Sequence, residues 1–383
     1  MNWEEAAARL AVAVADDTSV WRPLVAQVPR HAFVPRWWER DGEGWELRDG
    51  PADTGRWARI AYSDRSVITA VAGRHADQAQ DGERPAGRPT SSATLPGLTV
   101  RMLDHARLAP GLRTLDIGTG SGYGTALACL RVGAGHVTSM DVDPATTTAA
   151  VTSLGAIGLR PAVFTGDATG TLPGAPGAYD RIVSTVAVRT VPASWLTALR
   201  TGGRLVTTLA GTSLIVTATK TPHGGAVGGV EWDRAGFMHA RTGPGDYPPG
   251  PGGGLAAAAR AEEGDSVTAG LYPVVDVAQA WDLDSFLSLT APGITHEFRE
   301  RPDGKRVAVM THAEGSWARA EGFGGDRPIV HQSGPRRLWD LLEHARAHWL
   351  FHGELPVRGA RAHIRPDGRT TLTRGDWHVT LRP

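Results

Sequence analysis

The feature that most constrains this chain is the run Asp116-Ile117-Gly118-Thr119-Gly120-Ser121-Gly122-Tyr123-Gly124, set between the short apolar segment Arg113–Ile117 and the helical pattern of Tyr123–Val132. Glycines at alternate positions let the backbone turn sharply and pass close under a ligand, and the helix that follows opens with unpaired N–H groups. The same strand-to-helix unit then repeats. His136–Asp141 reads as a strand, and Pro144–Leu154 as a helix opened by Asp143 as N-cap with Pro144 at its first position. Pro161–Thr165 and Arg181–Thr185 read as buried strands, followed by a helix near Ala193–Leu199, a Gly202-Gly203 turn and a strand at Arg204–Leu209. Such alternation predicts an α/β fold, a doubly wound parallel sheet with helices on both faces. Leu214–Thr219 and Val230–His239 add a terminal hairpin to it.

The 383 residues exceed what one such sheet needs and suggest two or three domains. Trp3–Val28 reads as two short helices that stop at Pro29, while Arg30–Arg59 mixes Phe33, Trp37, Trp38, Trp45 and Trp57 with charges and is too apolar for a linker. Those tryptophans are candidates either for a core or for a peptide groove. Asp77–Ser92 reads as a loop. The text GPGDYPPGPGGG at 243–254 forms neither helix nor strand and marks a boundary. Beyond it, Leu338–Phe351 reads as a helix, and two short alternating runs joined by Pro366-Asp367-Gly368 as a hairpin. The expected division is therefore an N-terminal helical and aromatic subdomain (1–92), a sheet core (93–242), a Gly/Pro-rich linker (243–254) and a C-terminal α+β region (255–383).

Composition excludes several classes. Forty Lys+Arg balance forty Asp+Glu, which leaves no excess of cations to displace counterions from a nucleic acid or to hold an anionic membrane. The lone cysteine, Cys129, rules out an internal disulfide and any multi-cysteine zinc site. Met1–Leu10 carries Glu4 and Glu5 and no basic leader, and no apolar stretch approaches the roughly 18 residues of a membrane span, so a cytoplasmic protein is expected.

The chemistry gathers at the carboxyl ends of the predicted strands. Asp116 precedes the glycines, where a carboxylate repels a pyrophosphate but attracts the ammonium of an amino-acid moiety. Asp141 ends the second strand, where a carboxylate accepts both hydroxyls of a ribose. Asp167, after the third strand, is placed to take an adenine amino group. Two acids in these positions suit S-adenosylmethionine better than a nicotinamide dinucleotide. His344, His348 and His352 recur at helical spacing, but no HExxH arrangement accompanies them and Trp349 and Phe351 point to packing, so no metal is expected. Cys129 reads as a buried, inert thiol.

From about Trp21 to Arg241 the chain resembles the protein-L-isoaspartate (D-aspartate) O-methyltransferases. The resemblance runs through Val28-Pro29-Arg30-His31-Ala32-Phe33-Val34-Pro35, Ala61-Tyr62-Ser63-Asp64, Leu115 to Tyr123, Gly166-Asp167-Ala168 and Leu199-Arg200-Thr201-Gly202-Gly203-Arg204-Leu205-Val206. It implies a Rossmann-like methyltransferase sheet and S-adenosylmethionine as cofactor. It also implies cofactor contacts at Asp116, Gly118, Thr119, Gly120, Ser121, Gly122, Asp141, Val142, Asp167 and Ala168, and a peptide carboxylate as acceptor. The family's active-site serine falls on Thr94, in the segment Ser91-Ser92-Ala93-Thr94-Leu95-Pro96, so Thr94, with Ser92 and Ser91 beside it, is the expected catalytic group. Threonine keeps the hydroxyl and adds a methyl group that narrows the site.

Repair enzymes of the family are expected to end near the last sheet strands, whereas this chain continues well past them. The extension resembles the divergent branch encoded with ribosomal modified peptides of graspetide, lanthipeptide and lasso type. That implies methylation of one Asp in a cyclised precursor peptide, with aspartimide or isoaspartate as the end product; the length of 255–383, its tryptophans and the Gly/Pro junction before it predict that this region covers the cleft and recognises the substrate. General repair of isoaspartyl residues, and a non-catalytic peptide-binding scaffold, are the competing readings.

Overall fold

The computed structural model describes residues 2–42, 44–243 and 253–383. The first helix, α1 (Trp3–Val14), is capped by the Asn2 side chain, which accepts from the Glu5 N–H, and buries Ala6, Ala7, Leu10 and Ala11. The second, α2 (Arg22–Gln27), stops before Pro29. The polar-aromatic stretch that follows is mostly strand: β1 (Arg36–Asp41) and β2 (Gly44–Asp49) form a hairpin, then come α3 (Thr54–Ala61), β3 (Val67–Val71), β4 (Arg74–His75) and β5 (Pro89–Ala93). These strands make an antiparallel sheet in the order β2-β1-β3-β4, with β5 also on β3. Alternation along β1 sends Trp37 into a cluster with Val34, Ile60 and Val67, and Trp38 into another with Trp45, Val71 and Ala76. The N-terminal region is thus helices plus a five-stranded sheet rather than helical alone, the end of the expected Asp77–Ser92 loop is strand β5, and these tryptophans are core rather than a peptide groove.

The central alternation folds as α4 (Pro96–His105), β6 (Thr114–Ile117), α5 (Tyr123–Val132), β7 (Val137–Asp141), α6 (Pro144–Ala156), β8 (Ala162–Thr165), β9 (Tyr179–Val188), α7 (Ala193–Ala198), β10 (Leu199–Leu209), β11 (Leu214–Lys220) and β12 (Ala226–Arg234). The Asp143 carboxylate caps α6, accepting from the N–H of Ala145 at 2.8 Å. Strands β6 to β10 run parallel, in the order β10-β9-β6-β7-β8, and β11 and β12 extend them antiparallel. One face packs Leu10, Trp21, Phe33, Met102 and Leu127 over Val183 and Val206; the other packs Met140, Trp195 and Leu196 over Leu115, Ile182 and Leu205. Strand β8 lies at the sheet edge and Phe164 is 44% exposed, so it is less buried than its apolar text suggests. The chain changes direction across the sheet between β6 and β9, which opens a crevice at the strands' carboxyl ends.

The C-terminal region comprises α8 (Gly253–Ala261), β13 (Ser266–Ala269), α9 (Trp281–Thr290), β14 (Ile294–Glu300), β15 (Lys305–His312), β16 (Trp317–Phe323), β17 (Ile329–Ser333), α10 (Leu338–His352), β18 (Arg361–Ile364), β19 (Thr370–Arg374) and β20 (Trp377–Leu381). Strands β13 to β17 make a second antiparallel sheet, whereas β18 pairs with β12, so that β18, β19 and β20 complete a ten-stranded central sheet. Leu209, Leu214, Val216 and Val230 of that sheet share one core with Leu283, Met310, Trp339 and Leu342. Buried Arg358 ties the junction, donating to Asp282, to the Asp233 carbonyl and to Ser213. Most of the Gly/Pro-rich boundary at 243–254 lies outside the described residues. The region after it is welded to the sheet rather than free to move against it. The His348 and His352 rings lie 4.2 Å apart, and among the described residues no group of three side chains is arranged to hold a metal ion. Nor is any helix among them long and apolar enough to cross a membrane.

Candidate active site

A cleft of about 340 Å³ opens at the carboxyl ends of β6 and β7. Its floor is the glycine turn. Gly118 has φ +91° and lies so close to β9 that a Cβ there would stand 2.9 Å from Thr185 Oγ1; Gly120, at φ +52°, would meet the Ser92 carbonyl at 3.2 Å. The loop therefore works as a thin shelf, since a side chain at Gly118 would collide with β9 and one at Gly120 with the facing Ser92 carbonyl.

Two acids stand on this shelf. Asp116 is buried, and one of its oxygens accepts from Thr125 Oγ1 at 2.6 Å and from Ser139 Oγ at 2.8 Å. Burial pushes its carboxyl up to about 6, against the pull of those two hydroxyls. Asp141 accepts from the Gly120 N–H at 2.9 Å and from the Asp143 N–H at 3.2 Å, and burial raises it as well. A carboxylate has about four lone-pair positions, so each acid retains acceptor capacity toward the cleft. Thr119, Ser121, Val142 and Ala168 also line it. Gly122 lies just behind the lining, as the N-cap of α5, with Ala150 of α6 packed against it. Asp167 is not in the lining: its carboxylate accepts from the N–H and the hydroxyl of its neighbour Thr169, at 2.7 and 2.6 Å.

The opposite wall comes from the N-terminal sheet. Ser91, Ser92 and Thr94 all face the cleft, but differently. Ser91 is buried and its oxygen accepts from Thr69, which makes it part of the β3–β5 pairing. Ser92 and Thr94 are half-buried. The Thr94 hydroxyl has no hydrogen bond to a described residue. Its main chain is fixed from below by Arg30, a fully buried guanidinium that donates to the carbonyls of Ala61, Ser63, Arg65, Ala93 and Thr94.

A third wall was not legible in the sequence. The expected strand to His239 ends at Arg234, and residues 236–241 cross the cleft mouth instead. They are held to β9 by Ala187, whose N–H donates to the Met238 carbonyl and whose carbonyl accepts from Ala240. Arg241 reaches across to the Thr90 carbonyl at 3.1 Å and lowers the Asp141 carboxyl from a distance. His239, also in the lining, is held below its ordinary pKa by burial and is neutral at pH 7. None of the described residues from 256 onward lines the cleft, so the expectation that the C-terminal region covers it is not met.

Comparison with known proteins gives this geometry a relative. Residues 81–224 match the family Protein-L-isoaspartate(D-aspartate) O-methyltransferase (PCMT). Curated relatives include the protein-L-isoaspartate O-methyltransferase of Ignicoccus hospitalis, 35% identical over 135 residues, which cover 34% of this chain and 63% of that one. Protein-L-isoaspartate O-methyltransferase 1 of Rhodopseudomonas palustris is 40% identical over 182 residues, covering 47% of this chain and 58% of its own. The chain thus spans less than two thirds of these relatives. A solved structure titled protein-L-isoaspartate O-methyltransferase superimposes with a TM-score of 0.51 at 18% identity, covering 97% of this chain and 99% of the other. The fold is shared over almost the whole length, C-terminal region included. That overturns the expectation that such enzymes end at the sheet strands, and with it the use of length to separate the readings.

The residues present fit S-adenosylmethionine, the cofactor of PCMT-type sheets: a thin shelf built on glycines, an acid at the turn and an acid at the end of β7. The acids give a pH signature. A cationic ammonium beside Asp116 favours its ionised form, so affinity for S-adenosylmethionine rises as pH climbs through about 6 and levels above it. Calorimetric titration is expected to show about tenfold weaker binding at pH 5 than at pH 7, and Asp116→Asn to flatten that profile. For the cofactor-free protein the sign reverses. A carboxyl raised above its unfolded value near 3.9 withdraws stability as pH rises from about 4 to 6.

Proposed function

We propose that this protein is an S-adenosylmethionine-dependent O-methyltransferase acting on the side-chain carboxylate of an aspartyl-derived residue in a peptide. One observation carries the reading. A single cleft has Asp116 and Asp141 on one wall and, facing them, a hydroxyl, Thr94, that no described residue engages. When bound, the cofactor supplies a sulfonium methyl whose transfer forms a C–O bond to the carboxylate and leaves a neutral thioether. The protein's part is alignment and exclusion of water, because a carboxylate is already a competent nucleophile and needs no base. Thr94 holds and orients that carboxylate, Asp116 and Asp141 keep the cofactor's charged and ribose ends away from it, and the 236–241 segment narrows the mouth.

The narrower form of this reading is a ring-closed ribosomal precursor peptide. The β-branched Thr94, with Leu95 beside it, narrows the acceptor end, which suits one preorganised ring better than assorted flexible chains. Loss of the carboxylate's charge and a methoxide leaving group then let the next backbone amide close an aspartimide. Repair of isoaspartyl residues is the competing form. Mass spectrometry of the enzyme with S-adenosylmethionine and either a linear isoaspartyl peptide or linear and cyclised forms of a precursor separates them: methylation of the cyclised form alone supports the narrower reading, efficient methylation of the isoaspartyl peptide supports repair, and methylation of no peptide carboxylate overturns both. Thr94→Val keeps shape and loses the hydroxyl, so turnover is expected to fall about tenfold or more with cofactor affinity unchanged, and Thr94→Ser to remain active.

A further inference from the structure

The protein buries two hydrogen-bond donors that have no partner among the described residues. Tyr123, the first residue of α5, is 2% exposed and lines the cleft, and its hydroxyl has no partner. Arg30 is 0% exposed, with its guanidinium 5.5 Å from the centre of the Tyr123 ring. Its terminal nitrogens are engaged by five carbonyls, that of Thr94 among them, but its Nε has no partner. Buried donors left unpaired are costly, and folded proteins rarely keep two of them side by side without a ligand or a water to receive them.

The charge of the site says what kind of ligand this is. The five oxygens that receive Arg30 are carbonyls, so its cation is met by dipoles and not by a salt bridge. Asp64 is a carboxylate that acts on both Arg30 and Tyr123 and partly offsets the cation, while one of its oxygens accepts from the Gly97 N–H at 2.7 Å. Burial raises the phenol to about 12, so at neutral pH it is protonated and able to donate. A protonated O–H with no acceptor among the described residues calls for one from the ligand, and a carboxylate oxygen is the strongest such acceptor a peptide offers. At the other end of the cleft, Asp116 and Asp141 repel a carboxylate.

We propose that Tyr123 is a second hydrogen-bond donor of the acceptor site, its hydroxyl orienting the peptide carboxylate together with Thr94 while Arg30, over the Tyr123 ring and bonded to the Thr94 carbonyl, fixes the two relative to each other. This rests on the reading that the acceptor is a peptide carboxylate. The Tyr123 ring makes an edge contact with Phe33 at 6.0 Å, which Tyr123→Phe retains, so the variant removes the hydroxyl alone.

The test is steady-state kinetics of Tyr123→Phe with a peptide that the wild-type enzyme methylates, alongside cofactor affinity by calorimetry and a thermal melt. The expected result is a KM for peptide raised about tenfold, with cofactor affinity and melting temperature as in the wild type. A wild-type KM overturns the proposal, and a shifted melting temperature alongside it assigns the hydroxyl to a buried water. Failure of the variant to fold also overturns it, since the hydroxyl would then be engaged inside the protein. If the wild-type enzyme methylates no peptide carboxylate, the parent reading fails first and this one with it. Paired with Thr94→Val, the two hydroxyls are expected to be non-additive, and strict additivity counts against a shared carboxylate.

Discussion

Replacing Arg30 by methionine is expected to cost about 3–5 kcal/mol of stability, read as a shift of the urea unfolding midpoint, because it removes in one step the partner of several buried carbonyls. Those carbonyls belong to Ala61, Ser63, Arg65, Ala93 and Thr94, on two stretches of chain that meet where β3 pairs with β5. Methionine fills much of the same volume, so the loss reports hydrogen bonding rather than a cavity. Against a total stability of roughly 5–15 kcal/mol, a change of this size leaves the fold marginal. Arg30→Lys restores only part of it, since a compact ammonium cannot reproduce the planar fork that reaches so many acceptors. A loss below about 1 kcal/mol would mean that water takes over these carbonyls.

Asp141→Ala is expected to weaken cofactor binding by about 1.5–3 kcal/mol, which is roughly tenfold to a hundredfold in affinity by calorimetry. Two effects add. The ribose hydroxyls lose a charged acceptor, and the glycine shelf loses the carboxylate that holds the Gly120 and Asp143 N–H groups. Asp141→Asn, which keeps an acceptor oxygen, falls between wild type and alanine. Affinity unchanged in the alanine variant would exclude Asp141 from the cofactor site.

The sequence was most legible where local signals carry the structure. Asp143 before Pro144 marks the start of α6, and apolar runs closed by glycine mark β6 and β10, so the parallel core could be read strand by strand. It was least legible where pairing is distant. Strand β1, Arg36-Trp37-Trp38-Glu39-Arg40-Asp41, is too charged to announce itself, and it is a strand because Trp37 and Trp38 find separate pockets on its two faces. Strand β5 pairs with β3 across a long excursion, and β18 finds β12 across more than a hundred residues. At the site, Asp116 and Asp141 could be placed from strand ends, but the direction of Asp167 is decided by Thr169 two residues on. Arg30 could be quoted as part of a motif, while its work depends on carbonyls brought from elsewhere.

The seat of β18 on β12 bears on how the molecule is made. As synthesis proceeds from one end, the parallel sheet can assemble through residue 234 while residues 361–381 are still to be translated. Over that interval β12 presents an open hydrogen-bonding edge, Ala226 to Gly229, to anything able to add a strand. The nascent chain therefore carries its cofactor shelf before its protection from aggregation. Expression of fragments ending before β18 should yield insoluble material even though every cleft residue is present, and a minimal enzyme made by trimming has to replace that edge rather than delete what covers it.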